Sequence, residues 1–227
     1  MKYSRETIEK AVRMLKTKID DFQHENTLDI VISKGNKKIG NTLNVSLAPV
    51  ITCPNCSHCI AYCYDIKAVM LYGNVLNARA KNTALLLRSR DDYFGQIEKA
   101  INGRKKNKYF RWHVSGDIVD IDYFARMCNV ARNHPDFRMW TYTKNYSAVN
   151  AYCEKYGRSA VPENLSVMFS KWEGLAMNNP YNFPVFAVVM KGQEKPHNVK
   201  WCCGNCNECI RNCSHCVKGE NVSCMEH

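Results

Sequence analysis

Apolar residues recur three and four apart through residues 4–24, where Ile8, Val12, Leu15, Ile19 and Phe22 stand among charges. That spacing predicts an amphipathic helix whose stripe packs on a core. The pattern then changes: Leu28 to Ile32 (LDIVI) predicts a strand, residues 33–41 (SKGNKKIGN) a polar turn, and Thr42 to Leu47 a second strand. Apart from Gly73 few breakers interrupt Ile66 to Arg90, which predicts one long or broken helix, with another over Asp91 to Asn102. Beyond the basic link GRKKNK, extended and helical patterns alternate. Tyr109 to Val114 reads as extended, Tyr123 to Asn133 as helical, Phe137 to Thr143 as extended and Ala148 to Tyr156 as helical. Leu165 to Phe169 and Phe183 to Met190 close the series as extended segments.

Strands that alternate with helices imply crossover connections and a parallel sheet. The five or six strand units fall short of the eight of a closed TIM barrel. The first expectation is therefore an α/β fold with a partial or irregular (β/α) barrel, and the second an open doubly wound sheet. In both, ligands gather at the carboxyl ends of strands. Residues 1–198 are expected to form the barrel-like domain, with its N-terminal helix and a cysteine loop, and residues 199–227 a Cys-rich metal-binding tail.

Composition adds constraints. The 227 residues, 45% hydrophobic and 23% charged, suffice for one sizeable core. No apolar run approaches the roughly 18 to 20 residues of a membrane helix, and residues 1–24 carry charges throughout, unlike a secretory signal. A cytoplasmic protein with no membrane partner is expected. In a reducing compartment, 13 cysteines, 11 of them clustered in two short segments, point to metal rather than disulfides. Cys128 and Cys153 stand apart in helical patterns and read as small buried hydrophobes. The formal charge of +11 favours nucleic acid or another polyanion as partner, the alternative being a surplus spread over a solvated surface. Two four-thiolate metal sites, each of net charge about −2, would leave it at about +7.

The remaining cysteines fall in two segments. Cys53, Cys56, Cys59 and Cys63 follow the spacing C-x2-C-x2-C-x3-C, and Cys203, Cys206, Cys209 and Cys213 repeat it, with Cys202, Cys216 and Cys224 around them. This spacing is similar to the bacterial ferredoxin run, with Tyr64 and Ser214 where that run has proline. Thiolates suit iron–sulfur clusters and zinc alike. The first segment leaves a strand and enters a helix, which favours a 4Fe-4S cluster. The second, with Cys216 as a further ligand and His215 and His227 nearby, suits a second cluster or zinc equally.

Arg111, His113, Ser115 and Asp117 alternate along RWHVSGD and are expected on one strand face, opposite Trp112 and Val114. Burying such groups is unfavourable unless they pair with one another or a ligand. They are the catalytic candidates, an internal salt-bridge network being the alternative. Thr141, Thr143 and Lys144 at one strand end, and Ser170 with Lys171 at another, would share a rim able to bind phosphate or carboxylate. Tyr64 and Lys67, beside the first cysteines, are further cofactor-binding candidates, as is Tyr62. No Walker lysine loop, GxGxxG or HExxH is present, which removes the usual signals of P-loop NTPases, Rossmann dehydrogenases and zincins.

The strings GNTLNVSLAPVITCPNCSHCIAYCYDIKA, RWHVSGDIVDIDYF and RMWTYTKNY, with the tail ending VSCMEH, resemble the phage "gene product 88" family over residues 33–227. The resemblance implies a phage or mobile-element origin, hence a bacterial host cytoplasm, and a cysteine-bound cofactor more than a named activity. Cys56 is an addition to the set Cys53, Cys59 and Cys63. The layout is also similar to that of radical S-adenosylmethionine enzymes: a strand, a cysteine loop, a helix, then a strand ending in Ser115-Gly116-Asp117. That family spaces its three cysteines CxxxCxxC; here Cys59-x3-Cys63 is followed by Ile66, so Cys53 or Cys56 would supply the third thiol. S-adenosylmethionine is thus a cofactor to consider, with an undefined small-molecule substrate. The expectations are an iron–sulfur redox or radical enzyme; alternatively, a zinc-stabilised nucleic-acid-binding protein; or a redox or oxygen sensor.

Overall fold

The computed structural model describes residues 2–225 apart from His58, Lys195, Pro196, Asn198 and Cys213. The first helix, α1 (Arg5–Gln23), is capped by Ser4, whose hydroxyl accepts from Thr7 N–H, and buries Ala11, Leu15 and Ile19. The predicted strand at LDIVI does not form. Side chains take the place of a partner strand there: Ile30 N–H donates to Gln96 Oε1 and Val31 N–H to Asn82 Oδ1. The same amides return bonds from Gln96 Nε2 to Leu28 O and from Asn82 Nδ2 to Val31 O. Only at Ser33 does the segment make a bridge, antiparallel to Asn44.

β1 (Leu43–Val45) follows, then the cysteine loop. The long helical pattern is two helices, α2 (Tyr64–Leu71) and α3 (Gly73–Arg88), broken by extended backbone at Tyr72. Ser89 caps α4 (Arg90–Asn102). Thereafter β2 (Tyr109–Trp112), α5 (Ile121–Asn133), β3 (Arg138–Thr143), α6 (Tyr146–Tyr156), β4 (Leu165–Lys171) and β5 (Val185–Val189) realise the alternation. Asp120 and Asn145 cap α5 and α6 through Tyr123 N–H and Ala148 N–H. The Cys-rich segment adds β6 (Lys200–Trp201), α7 (Cys206–Asn212) and β7 (Val222–Met225).

The seven strands of the described residues form one parallel sheet in the order β1-β2-β3-β4-β5-β7-β6. The fold is therefore α/β, with one strand more than the upper count expected. The first five strands lie in chain order, and the Cys-rich segment supplies the last two. One face carries Leu43, Val45, Phe110, Trp112, Met139, Leu165, Val167 and Phe169 into a single apolar cluster with α1 to α6. The opposite face carries Trp140, Met168 and Val222, with Tyr109, Tyr142 and Phe186, against Cys202, Ile210, Cys216 and Val217. In a doubly wound sheet the crossover helices would cover both faces; here α1 to α6 share one, and the Cys-rich segment covers the other. No helix among the described residues is long and apolar enough to cross a membrane.

Candidate functional site

The carboxyl ends of β1, β2 and β3 meet at the first cysteine loop. Beyond β1, Leu47 N–H donates to Ser115 O and Ala48 N–H to Thr83 Oγ1, which extends the chain alongside the turn after β2. Thr52 Oγ1 then donates back to Ala48 O, closing a turn in which Val50 has φ of 69°. Gly116 is required by this approach. A Cβ there would stand 2.7 Å from Leu47 Cβ and 2.9 Å from Thr52 Oγ1, and its φ of 86° favours glycine independently. The small-residue turn and the entry to the cysteine loop are one packed unit.

Cys59 N–H and Ile60 N–H both donate to Cys56 O, a 3-10 turn occupies Ile60–Tyr62, and Cys63 is the N-cap position of α2. Cys53, Cys56, Cys59 and Cys63 are all partly buried free thiols. Burial is the main influence on Cys53, pushing its thiol well up, and Asp117 adds to this. Burial likewise pushes Cys63 up to about 11. Cys56 is raised by burial and by Cys59, while Lys144 acts in the opposite sense. The four thiols thus sense one another in sequence, and two of them sense the charges at the ends of β2 and β3.

Asp117 joins those strand ends. Its carboxylate accepts from Thr143 Oγ1 at 2.5 Å, Lys144 N–H at 2.9 Å and Ile118 N–H at 2.7 Å. Burial raises its pKa, against Lys144 and these donors. Lys144 is fixed to the loop as well, since Asn55 Nδ2 donates to its carbonyl at 2.8 Å. Its ammonium stands 5.6 Å from the Trp172 ring, which packs against Tyr62 at 6.1 Å.

The expected single polar face is not present. His113 has φ of 52°, which ends the strand alternation and turns its ring toward the helices. There its ring nitrogens bond Tyr123 OH at 2.9 Å and Thr141 Oγ1 at 3.2 Å, and Tyr123 OH meets Tyr93 OH at 3.1 Å. Burial lowers its pKa to about 3, so the ring is neutral. Arg111 stays on the opposite face, 5.1 Å from the Tyr142 ring. Ser115 is buried beside Gly116, its hydroxyl without a partner among the described residues. Of the expected rim, Thr143 and Lys144 reach Asp117, whereas Thr141 serves His113. Ser170 is buried, and its carbonyl accepts from Tyr146 OH. Lys171 and Lys67 are exposed, and Tyr64, exposed on α2, sends its hydroxyl to Val114 O.

The sequence reading missed Thr52, Asn55, Tyr146 and Trp172. Each carries one ordinary polar or aromatic group whose partner lies far along the chain, so no local pattern marks it. It also missed the buried pair of Asp65 and Arg79 (3.0 Å), which fastens α2 to α3 directly behind Cys63.

In the C-terminal segment, Cys203 is exposed and donates to Asn205 O, Cys206 begins α7, and Cys216 and Cys224 are buried. Cys209 lies within α7, and Cys213 falls outside the described residues. Among the described residues no three His, Cys, Asp or Glu side chains close around a single ion.

The model of the gene product 88 family matches residues 15–227, a match that begins inside α1 rather than after it. The Gene 88 protein of Mycobacterium phage L5 is 27% identical over 154 residues, which are 62% of this chain and 61% of that protein. The Gene 88 protein of Mycobacterium phage D29 is 27% identical over 177 residues, 69% of this chain and 72% of that one. The chain thus spans less than two thirds of the L5 relative. No solved structure matches it.

Proposed function

The chain belongs to the gene product 88 family, and we propose that it is a phage-type iron–sulfur protein, a redox or radical enzyme with a 4Fe-4S cluster in the loop from Cys53 to Cys63. One observation carries this reading: the four-thiol loop leaves the carboxyl end of β1 and is tied to Asp117 and Lys144 at the ends of β2 and β3. Ligands of parallel α/β folds bind at such ends. Thiolates are the donors an iron–sulfur cluster takes, and partly buried ones keep water from a reduced centre. When bound, such a cluster supplies electron transfer.

The chain's own residues supply the rest. Asp117 holds the ends of β2 and β3 in register and sets a carboxylate beside Cys53. Lys144 offers a cation between that carboxylate and the Trp172 ring, positioned to receive an anionic group of a small-molecule substrate. With α1 to α6 on one side, the sheet is read as curling into a partial barrel similar to those of radical S-adenosylmethionine enzymes. In such an arrangement S-adenosylmethionine would take a site left by three of the four thiols. A host cytoplasm would keep these thiols reduced.

Anaerobic purification, a visible spectrum and iron, sulfide and zinc analysis test this. The wild type should be brown, and Cys53→Ser and Cys59→Ser should each lose about four irons. A colourless protein that carries zinc alone would overturn the proposal. Salt-sensitive binding to nucleic acid by that protein would support the zinc-stabilised alternative, which the charge of +11 favours.

A further inference from the structure

β2 puts Arg111 on the sheet face away from α1 to α6, since Phe110 and Trp112 on either side of it belong to the helix-side core. Its Nη1 lies 3.9 Å from Cys206 Sγ, and its Nε is buried without a hydrogen-bond partner among the described residues. Its largest electrostatic neighbours are Tyr142, Cys206, Tyr64 and Cys216. A guanidinium keeps its proton in proteins, so a partly buried one requires a negative group nearby. The groups around this one are two tyrosines and the thiols of Cys206 and Cys216, and of these the thiols ionise more readily.

Those thiols also share one face of the sheet. Cys216 is 8% exposed and lies in one packed cluster with Cys202 and Tyr142, and Cys202 and Cys206 are among its electrostatic neighbours. Cys202 is in turn a neighbour of Cys224 on β7. Cys203 is different: it is exposed, with its thiol turned to Asn205 O at 3.3 Å. The sheet face therefore selects Cys202, and leaves out the cysteine with which the ferredoxin-like spacing begins.

Extending the metal reading above to the C-terminal segment, we propose that Cys202, Cys206 and Cys216, with one more thiol of that segment, hold a second tetrathiolate metal centre on the inner face, with Arg111 as its counter-charge. Four thiolates leave a net charge of about −2 on either zinc or a 4Fe-4S core, and the guanidinium offsets part of it while donating an N–H to a bound sulfur. Loading draws the thiols together over Arg111 and seals the segment onto Tyr142 and Trp140. Arg111 is then a positioning residue for this centre and takes no part at the Cys53 loop.

The full chain, loaded anaerobically with zinc or with iron and sulfide, gives the test. Metal per chain should fall by one centre in Cys206→Ser and in Cys216→Ser, by one zinc or about four irons according to its kind. Cys203→Ser should keep it. Arg111→Met should keep the stoichiometry and the near-ultraviolet circular dichroism of the loaded protein, but give up this metal to a chelator at least about tenfold more readily, with Arg111→Lys partly restoring retention. Loss in Cys203→Ser without loss in Cys206→Ser and Cys216→Ser would overturn the ligand set, and unchanged retention in Arg111→Met would overturn the counter-charge. If all metal in the wild type disappears with Cys53→Ser, this proposal fails while the first centre stands; metal lost only with Cys206→Ser or Cys216→Ser means the reverse.

Discussion

His113 is held neutral between Tyr123 OH and Thr141 Oγ1, with Trp112 against its ring and the Arg111 charge nearby. Burial comes first among the causes that lower its pKa to about 3, well under the ordinary histidine value. An unfolded chain therefore binds a proton at this residue between those two values and the native chain does not, so the residue's contribution is complete above about pH 6.5 and is lost as the pH falls. The slope approaches about 1.4 kcal/mol per pH unit. Asn tolerates the left-handed backbone at this position and cannot titrate, so His113→Asn should flatten the acid limb. Urea unfolding of both proteins at pH 7, 6 and 5 measures it; parallel losses in the two would show that another group controls acid sensitivity. Asp117 has a different role, since its three donors make it a clasp between two strand ends.

At the scale of elements, the segment Leu28 to Ile32 is instructive because amide side chains from α3 and α4 replace a strand. Asn82, 1% exposed, bonds both backbone groups of Val31 and also Ser46 O. Asn82→Ala leaves these groups unpaired and should lower the unfolding free energy by about 2–4 kcal/mol at an unchanged denaturant slope, measured by urea titration. A loss below about 0.5 kcal/mol would mean that water replaces the amide. The alternation of apolar positions announced every helix from α1 to α6 and strands β1 to β5, because each buries one face against a common core. LDIVI carries the same apolar signal, but hydrogen-bond partners are chosen by tertiary packing, which composition does not encode. His113 failed for a related reason: one positive φ rotates every later side chain. The cysteine loop and Asp117 were legible because their residue types are scarce and close in sequence. Asn55 and Tyr146 were not, because only the folded chain brings them to Lys144 and Ser170.

For the molecule as a whole, the C-terminal segment is both sheet and cover. β7 pairs with β5, while Cys202, Ile210, Cys216 and Val217 pack on Trp140, Met168 and Phe186. Ending the chain at Val199 would bare the edge of β5 and three large side chains, each worth about 1.5–3 kcal/mol of burial, a sum comparable with the stability of a whole domain. Such a chain should lose its near-ultraviolet circular dichroism and bind a hydrophobic dye. A native-like spectrum would instead make residues 200–227 a dispensable appendage.

The strand order also places a constraint in time. β1 to β5 each add beside the strand before, so the sheet can grow as the chain emerges. Among the described residues β6 pairs with β7 alone, through Lys200 with Val222 and Trp201 with Ser223. Lys200 and Trp201 can therefore join the sheet only once the strand that follows them has reached β5, and the two cysteines next to Trp201 are set in place with them.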